Sequence, residues 1–356
     1  MAVDLSRFVD TNKRFIIWAA FFGLLFLVRD LFGLVFLTFI LGFIFNNIII
    51  WLSSHTRLPR RLSTVALYLL FLAVLGVVIS MVGSRLGVES RTFFKQVPET
   101  LDKLYVWLDQ IATAQPNLAP LTAGAKETLS FKFLTGMSSE AVIGFAVKFL
   151  NQLTHYISLF LLGLLFSFLI LLDLPNLSAK AQALRQTRFR QIYDETAESV
   201  VHFALMVGEA FQAQILVACV NTFLTAIGLW ALSIKPIALL SLIVFFCGLI
   251  PVLGTFLSTA PIVLLGFNQN GIQCALEAIL MVIIIHAIET YILNPRIVSA
   301  VLKLNPVITL IILYISYALM GFWGLLLGAP IAVYLYRYVL LRPAAASLPS
   351  ARSNTN

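Results

Sequence analysis

The chain has 356 residues, 60% of them hydrophobic and only 11% charged, with a mean hydropathy of +0.96. That balance excludes an ordinary soluble domain and leaves an all-α polytopic membrane protein with room for about six to eight spans. The net charge of +8 does not point to nucleic acid, because the basic residues sit in short loops beside apolar runs, as the positive-inside bias expects.

Residues 1–14 carry mixed charge and lead into an apolar run at 15–28. No small-x-small cleavage site follows; Arg29-Asp30 and a second run at 31–52 read instead as an uncleaved pair of spans. Asn46 and Asn47 near its end read as interfacial or interhelical hydrogen-bonding groups ahead of ligands. Arg57, Arg60 and Arg61 assign the next loop to the cytoplasm, and a third span at 65–82 completes an N-terminal region, 1–82.

Residues 83–152 are mixed in character and form an expected soluble, extracytoplasmic helical excursion. Within it Phe94, Val97, Leu101, Leu104, Leu108 and Ile111 recur at three- and four-residue steps, a narrow amphipathic stripe. That stripe suits a helix lying on the bilayer or on its own protein, or a self-association surface. A span at 153–172 and a charged cytoplasmic helix within 173–198 make up a region 153–205.

The region 206–341 is the expected transport core. A fifth span at 211–232 follows Glu209 and carries Gln212, Gln214, Asn221, Thr222 and Thr225. Interhelical packing and a solute path account for this polar row equally well. The next apolar run, 236–267, breaks at Pro251-Val252-Leu253-Gly254-Thr255. Its halves reach only about 18–21 Å each as helices, against a hydrocarbon core of about 30 Å. Pro251 has no N–H to donate and Gly254 tolerates turn geometry, so the break suits either a cavity or one kinked span.

A span at 272–293 contains Glu277, His286 and Glu289. Ionisable groups inside membranes default to a functional reading, and Glu289 is the strongest, since it precedes a second break at Asn294-Pro295-Arg296. His286 reads as a core histidine ahead of a proton carrier. The last run, 306–341, is interrupted at Gly321-Phe322-Trp323-Gly324, with Gly324 and Gly328 at small-xxx-small spacing. The tail 342–356 is rich in Ala, Ser and Pro and is expected to be disordered. Cys219, Cys247 and Cys274 lie in apolar runs and read as small buried hydrophobes.

If both interrupted runs cross, the chain has eight spans and Arg296 and Lys303 fall outside, against the charge bias. If both are re-entrant hairpins, it has six full spans and both residues become cytoplasmic. The second arrangement is favoured, and it brings two interrupted segments together from opposite faces, the pattern of a carrier's midplane site.

Several motifs in the C-terminal half, taken in order, resemble the AI-2E family of bacterial permeases. Ala213-Gln214-Ile215-Leu216 is similar to its Gly-Gln-Leu-Leu, and Leu249-Ile250-Pro251-Val252-Leu253-Gly254 to its Ile-Pro-aromatic-x-Gly break. Ile288-Glu289 with Asn294-Pro295-Arg296-Ile297 resembles its Ile-Glu…Pro-Arg/Lys-Ile element, and Gly321 through Ala329-Pro330 its terminal pattern. The chain departs from the family at Ser299, where Gly is frequent, and at Asn305-Pro306, where His-Pro is frequent.

The resemblance implies a multi-pass permease of the bacterial inner membrane, linked to autoinducer-2 export or to cation/proton antiport, and working as a homo-oligomer. The expectation is therefore a carrier exporting a small polar solute. Pro251, Gly254 and Thr255 form one hairpin tip, and Gly321 and Gly324 the other. Glu289 binds a proton or cation, and Arg296 fixes the end of its helix. Gln214, Asn221, Asn294, Pro295 and Asn305 complete the expected path. The alternatives are a sodium/proton antiporter using Glu289 and Glu209, and a non-transporting scaffold that presents its external helix. No cofactor, metal or enzyme motif is expected.

Overall fold

The computed structural model describes residues 29–56, 58–129, 139–251, 253–298 and 306–336, with 16, 17, 19, 20, 23, 26 and 27. Much of the expected first span, Val252, Ser299, Lys303, Asn305 and the tail 342–356 lie outside the described residues. Among the described residues ten α-helices carry the architecture: α1 (Phe32–His55), α2 (Arg60–Ala114), α3 (Ala119–Leu129), α4 (Ser139–Leu172) and α5 (Leu174–Ala183), then α6 (Arg190–Ala231), α7 (Ile237–Gly248), α8 (Leu253–Ile288), α9 (Pro306–Met320) and α10 (Phe322–Tyr334). A π-helical stretch, Glu289–Val298, extends α8. There is no strand among the described residues, and the protein is an all-α polytopic membrane protein. Among the described residues five helical stretches are long and apolar enough to cross a bilayer: Arg29–His55, Arg60–Gly83, His155–Leu172, Arg190–Ala231 and Leu253–Leu293.

The first layer packs α1 against α4, with α2 alongside. Phe45, Ile49, Tyr68, Leu164 and Leu171 form its core. Inside it the Tyr68 hydroxyl and the Ser167 hydroxyl share a 2.8 Å hydrogen bond, so both buried oxygens are satisfied. Asn46 and Asn47 work between helices, as their positions predict. Arg60 Nη2 donates to Asn46 Oδ1 at 2.5 Å, and Asn47 Nδ2 donates to Gln212 Oε1 at 2.9 Å.

Two expected changes of composition fall inside continuous helices. α2 is a single helix of 55 residues, about 83 Å long at 1.5 Å per residue, and it runs straight through Gly83. The change from apolar to mixed composition marks a change of surroundings along one rod, with the backbone pattern unbroken. Glycine weakens a helix by about 1 kcal/mol without obliging it to stop. α6 likewise joins most of the charged 190–198 stretch to the fifth span in one helix of 42 residues. The stripe on the outer part of α2 packs within the chain: Leu101 and Leu108 are buried, and the Trp107 ring meets Phe267 edge-on at 5.7 Å. Lys103 Nζ donates to Asn268 Oδ1 at 2.8 Å, and Glu89 Oε2 accepts the Leu239 N–H at 2.8 Å.

The 236–267 run is a helical hairpin. α7 and the first half of α8 lie antiparallel, with Leu240 and Val244 sharing a core with Ile262 and Leu265. Gln269 Nε2 donates to the Lys235 carbonyl at 3.0 Å, so the two arms end side by side. The chain then reverses at Asn270-Gly271, where Gly271 has φ of 69°, a conformation that costs glycine little. α9 and α10 form the second hairpin, turned by Gly321 at φ 60°. Gly324 and Gly328 face Ser316, and a Cβ at 324 would overlap the Ser316 carbonyl. The close packing expected from their spacing is present.

The two hairpins meet. Ile250 from the tip of the first shares a buried cluster with Leu313, Leu326 and Leu327 of the second, and with Phe36, Ile40, Val207 and Phe211. The second points the opposite way: its turn residue Phe322 lies on Tyr156, while Tyr334 at its other end bonds the Ser199 carbonyl near the start of α6.

Candidate functional site: the α6 amide row and Glu289

Three amides along α6 reach three different partners. Gln212 accepts from Asn47, as above. Gln214 Nε2 donates to the Gly248 carbonyl at 2.6 Å. Asn221 Nδ2 donates to Glu289 Oε2 at 2.8 Å. These three amides therefore make interhelical bonds, and two of the bonds fall on the elements with interrupted geometry.

α7 ends at Gly248, whose carbonyl has no intrahelical donor among the described residues. The last carbonyls of a helix have no intrahelical donor, and Pro251 brings no N–H to the turn that follows. Gln214 supplies one donor from outside. Pro251 is half-buried, and Gly254 is buried so tightly that a Cβ would overlap the Cys247 carbonyl. The Thr255 carbonyl accepts the Thr259 hydroxyl at 2.5 Å, a bond within α8.

Asn221 lies seven residues further along α6, about 10 Å at 1.5 Å per residue. It is 8% exposed, and its Oδ1 is buried without a hydrogen-bond partner among the described residues. Glu289 closes the pair, its side chain 17% exposed. His286 Nδ1 stands 3.5 Å from Glu289 Oε2, an ion pair whenever the imidazole is protonated. His286 is not the core histidine that the sequence suggested, since half of its side chain is exposed. The i, i+3 spacing of the two residues was the available signal, since it places them on one helix face.

The remaining expected residues divide. Asn294, Pro295 and Arg296 fall in the π-helical stretch where a break was expected. The helical backbone continues past Pro295, a residue type that normally ends a helix. α8 runs antiparallel to α6, pairing Gly228 with Met281 and Asn221 with Glu289. That register leads on from Glu289 towards the level of Gln214. Gly321 and Gly324 build the second hairpin and touch no polar side chain of this row. Glu209 is exposed and twelve residues from Asn221, about 18 Å along the helix, so it is not brought to Glu289. Glu277 is exposed and accepts from Gln273 at 3.0 Å. Among the cysteines Cys274 is buried, Cys247 half-buried and Cys219 exposed, and all three are free thiols. The described residues contain no group of three or more His, Cys, Asp or Glu able to hold a metal.

Fold and site together define a multi-pass helical membrane protein with a mostly buried acid beside an interrupted helix. The chain belongs to the AI-2E transporter family: the model described as AI-2E family transporter matches residues 15–341. It is 31% identical over 329 residues to a Bacillus subtilis protein named "Putative transport protein YdbI", covering 91% of this chain and 90% of that one. It is also 23% identical over 328 residues to the "Sodium-lithium/proton antiporter" of Halobacillus andaensis, covering 86% and 90%. The family and these relatives are transport proteins.

Proposed function

We propose that the protein is a secondary carrier that moves a small polar solute outward, coupled to a proton or monovalent cation at Glu289. The observation that carries this reading is the Asn221–Glu289 pair. A carboxylate withdrawn from water is costly unless it is paired or protonated, and ionisable groups in spans mark ion pathways. Here one amide hydrogen serves the carboxylate, while the same amide's oxygen has no donor. A cation between Asn221 Oδ1 and Glu289 would satisfy both oxygens, and a proton on Glu289 would remove the buried charge.

The two hairpins are proposed as re-entrant, the first entered from the side of the α2 extension and the second from the basic end near residues 57–61. Arms too short to cross and the Gln269–Lys235 contact support this. The α7–α8 break, with Gly248 bonded to Gln214, would then sit at the solute's level, where freed backbone dipoles bind polar groups.

A second reading, sodium/proton antiport, is favoured by the orphan Oδ1 of Asn221 and by the name of the Halobacillus relative. Proteoliposomes separate the two. Under the leading reading a pH gradient drives solute flux, and Glu289→Gln lowers that flux at least tenfold. Under the second, a sodium gradient drives proton movement without any solute. Normal gradient-driven flux in Glu289→Gln would remove Glu289 from both mechanisms.

A further inference from the structure

A cleft of about 710 Å³ opens between the start of α2 and the end of α4. Arg60, Arg61, Leu62 and Val65 form one wall, and Leu172 and Pro175 the other. Its position is set by the two membrane-length segments it separates. Arg60 is the first residue of the stretch Arg60–Gly83, and Leu172 is the last of His155–Leu172. The cleft therefore lies where both segments leave the apolar layer. Trp51, 60% exposed near the end of α1, is the residue type that collects at this depth.

The lining is divided in the same sense. Leu62, Val65 and Leu172 present an apolar wall on the bilayer side. Arg60 and Arg61 stand at the rim, and neither has a carboxylate partner among the described residues. Arg60 is held in place by its bond to Asn46, and its Nε is buried with no acceptor among the described residues. Arg61 is exposed, and a guanidinium's planar fork matches phosphate oxygens. Basic pockets between membrane helices at an interface suit lipid head groups.

We propose that this cleft binds one anionic glycerophospholipid, its phosphate on Arg60 and Arg61 and an acyl chain along Leu62, Val65 and Leu172. The chain covers an apolar wall that a soluble anion would leave exposed. This site is independent of the Glu289 reading.

Native mass spectrometry of the full chain in detergent tests it, using phosphatidylglycerol, phosphatidylcholine with the same acyl chains, and glycerol phosphate as probes. The wild type is expected to retain phosphatidylglycerol in preference to phosphatidylcholine. Arg61→Gln, at an exposed position that leaves the Asn46 bond intact, should weaken retention about fivefold, the effect of one interfacial charge. Val65→Trp, which fills the apolar wall, should lower it with both arginines present. Equal retention of phosphatidylcholine, or unchanged retention in Arg61→Gln, overturns the proposal. Displacement of the lipid by glycerol phosphate at equal concentration would make the site one for soluble anions and overturns it too.

Discussion

The two helical hairpins look alike in sequence and are built for different work. Each interrupts an apolar run with glycine, and each uses one glycine to bring two backbones together: Gly254 against the Cys247 carbonyl, Gly324 against the Ser316 carbonyl. The turns differ. The second closes tightly on Gly321, whose N–H donates to Tyr317 and whose carbonyl accepts from Gly324, so its backbone is served locally. Around it stand rings: Trp323 lies edge-on to Phe32 at 5.9 Å and to Phe36 at 5.6 Å. The first has a longer break, borrows a side-chain donor from α6, and lies within about 10 Å of the Asn221–Glu289 pair. A Gly/Pro interruption therefore marks a place where backbones meet. Whether that place also presents polar groups depends on the helix beside it.

The comparison can be broken most directly at the glycines. Gly254→Ala and Gly324→Ala should each destabilise by about 1–3 kcal/mol, the usual cost of overpacking a tight contact. Thermal unfolding in detergent would measure this. Only Gly254→Ala should also change the half-saturation of transport; an equal change in Gly324→Ala would erase the distinction. Next in size is Trp323→Leu, which removes three edge-on ring pairs, with Phe32, Phe36 and Phe322, worth about 0.5–1.5 kcal/mol each. It should lower stability and leave the ion dependence of flux untouched. The smallest effect is expected from Gln214→Leu, about 1 kcal/mol for the lost hydrogen bond, with a measurable fall in flux. A Gln214→Leu protein with normal flux would reduce that residue to packing.

Much of this was legible in the residues, for reasons that can be named. Pro251, Gly254, Gly321 and Gly324 announce turns because each changes what the backbone can do. Glu289 announces itself because a carboxylate is expensive in an apolar segment. The Asn221–Glu289 bond joins residues 68 apart, and nothing local in either sequence encodes it. The Gly248 acceptor is a backbone carbonyl and carries no side-chain signature at all. The continuity of α2 was hidden because composition reports the solvent around a helix, and a helix passing from lipid to water changes its surface without changing its backbone. Pro295 read as a stop because the π-helical turn that accommodates it leaves no mark in the sequence.

That long α2 rod sets a mechanical condition on any transport cycle. It holds the base of the first hairpin at three separate points: Glu89 on the Leu239 N–H, Lys103 on Asn268 and Trp107 on Phe267. Sliding the whole hairpin would rupture all three or drag some 83 Å of helix with it. The tip is tied at Gln214 by one hydrogen bond and otherwise seated among aliphatic and aromatic side chains, which yield gradually. On the proposed mechanism the fixed base makes the hairpin a splinted lever, and its motion falls to the tip that is proposed to bind.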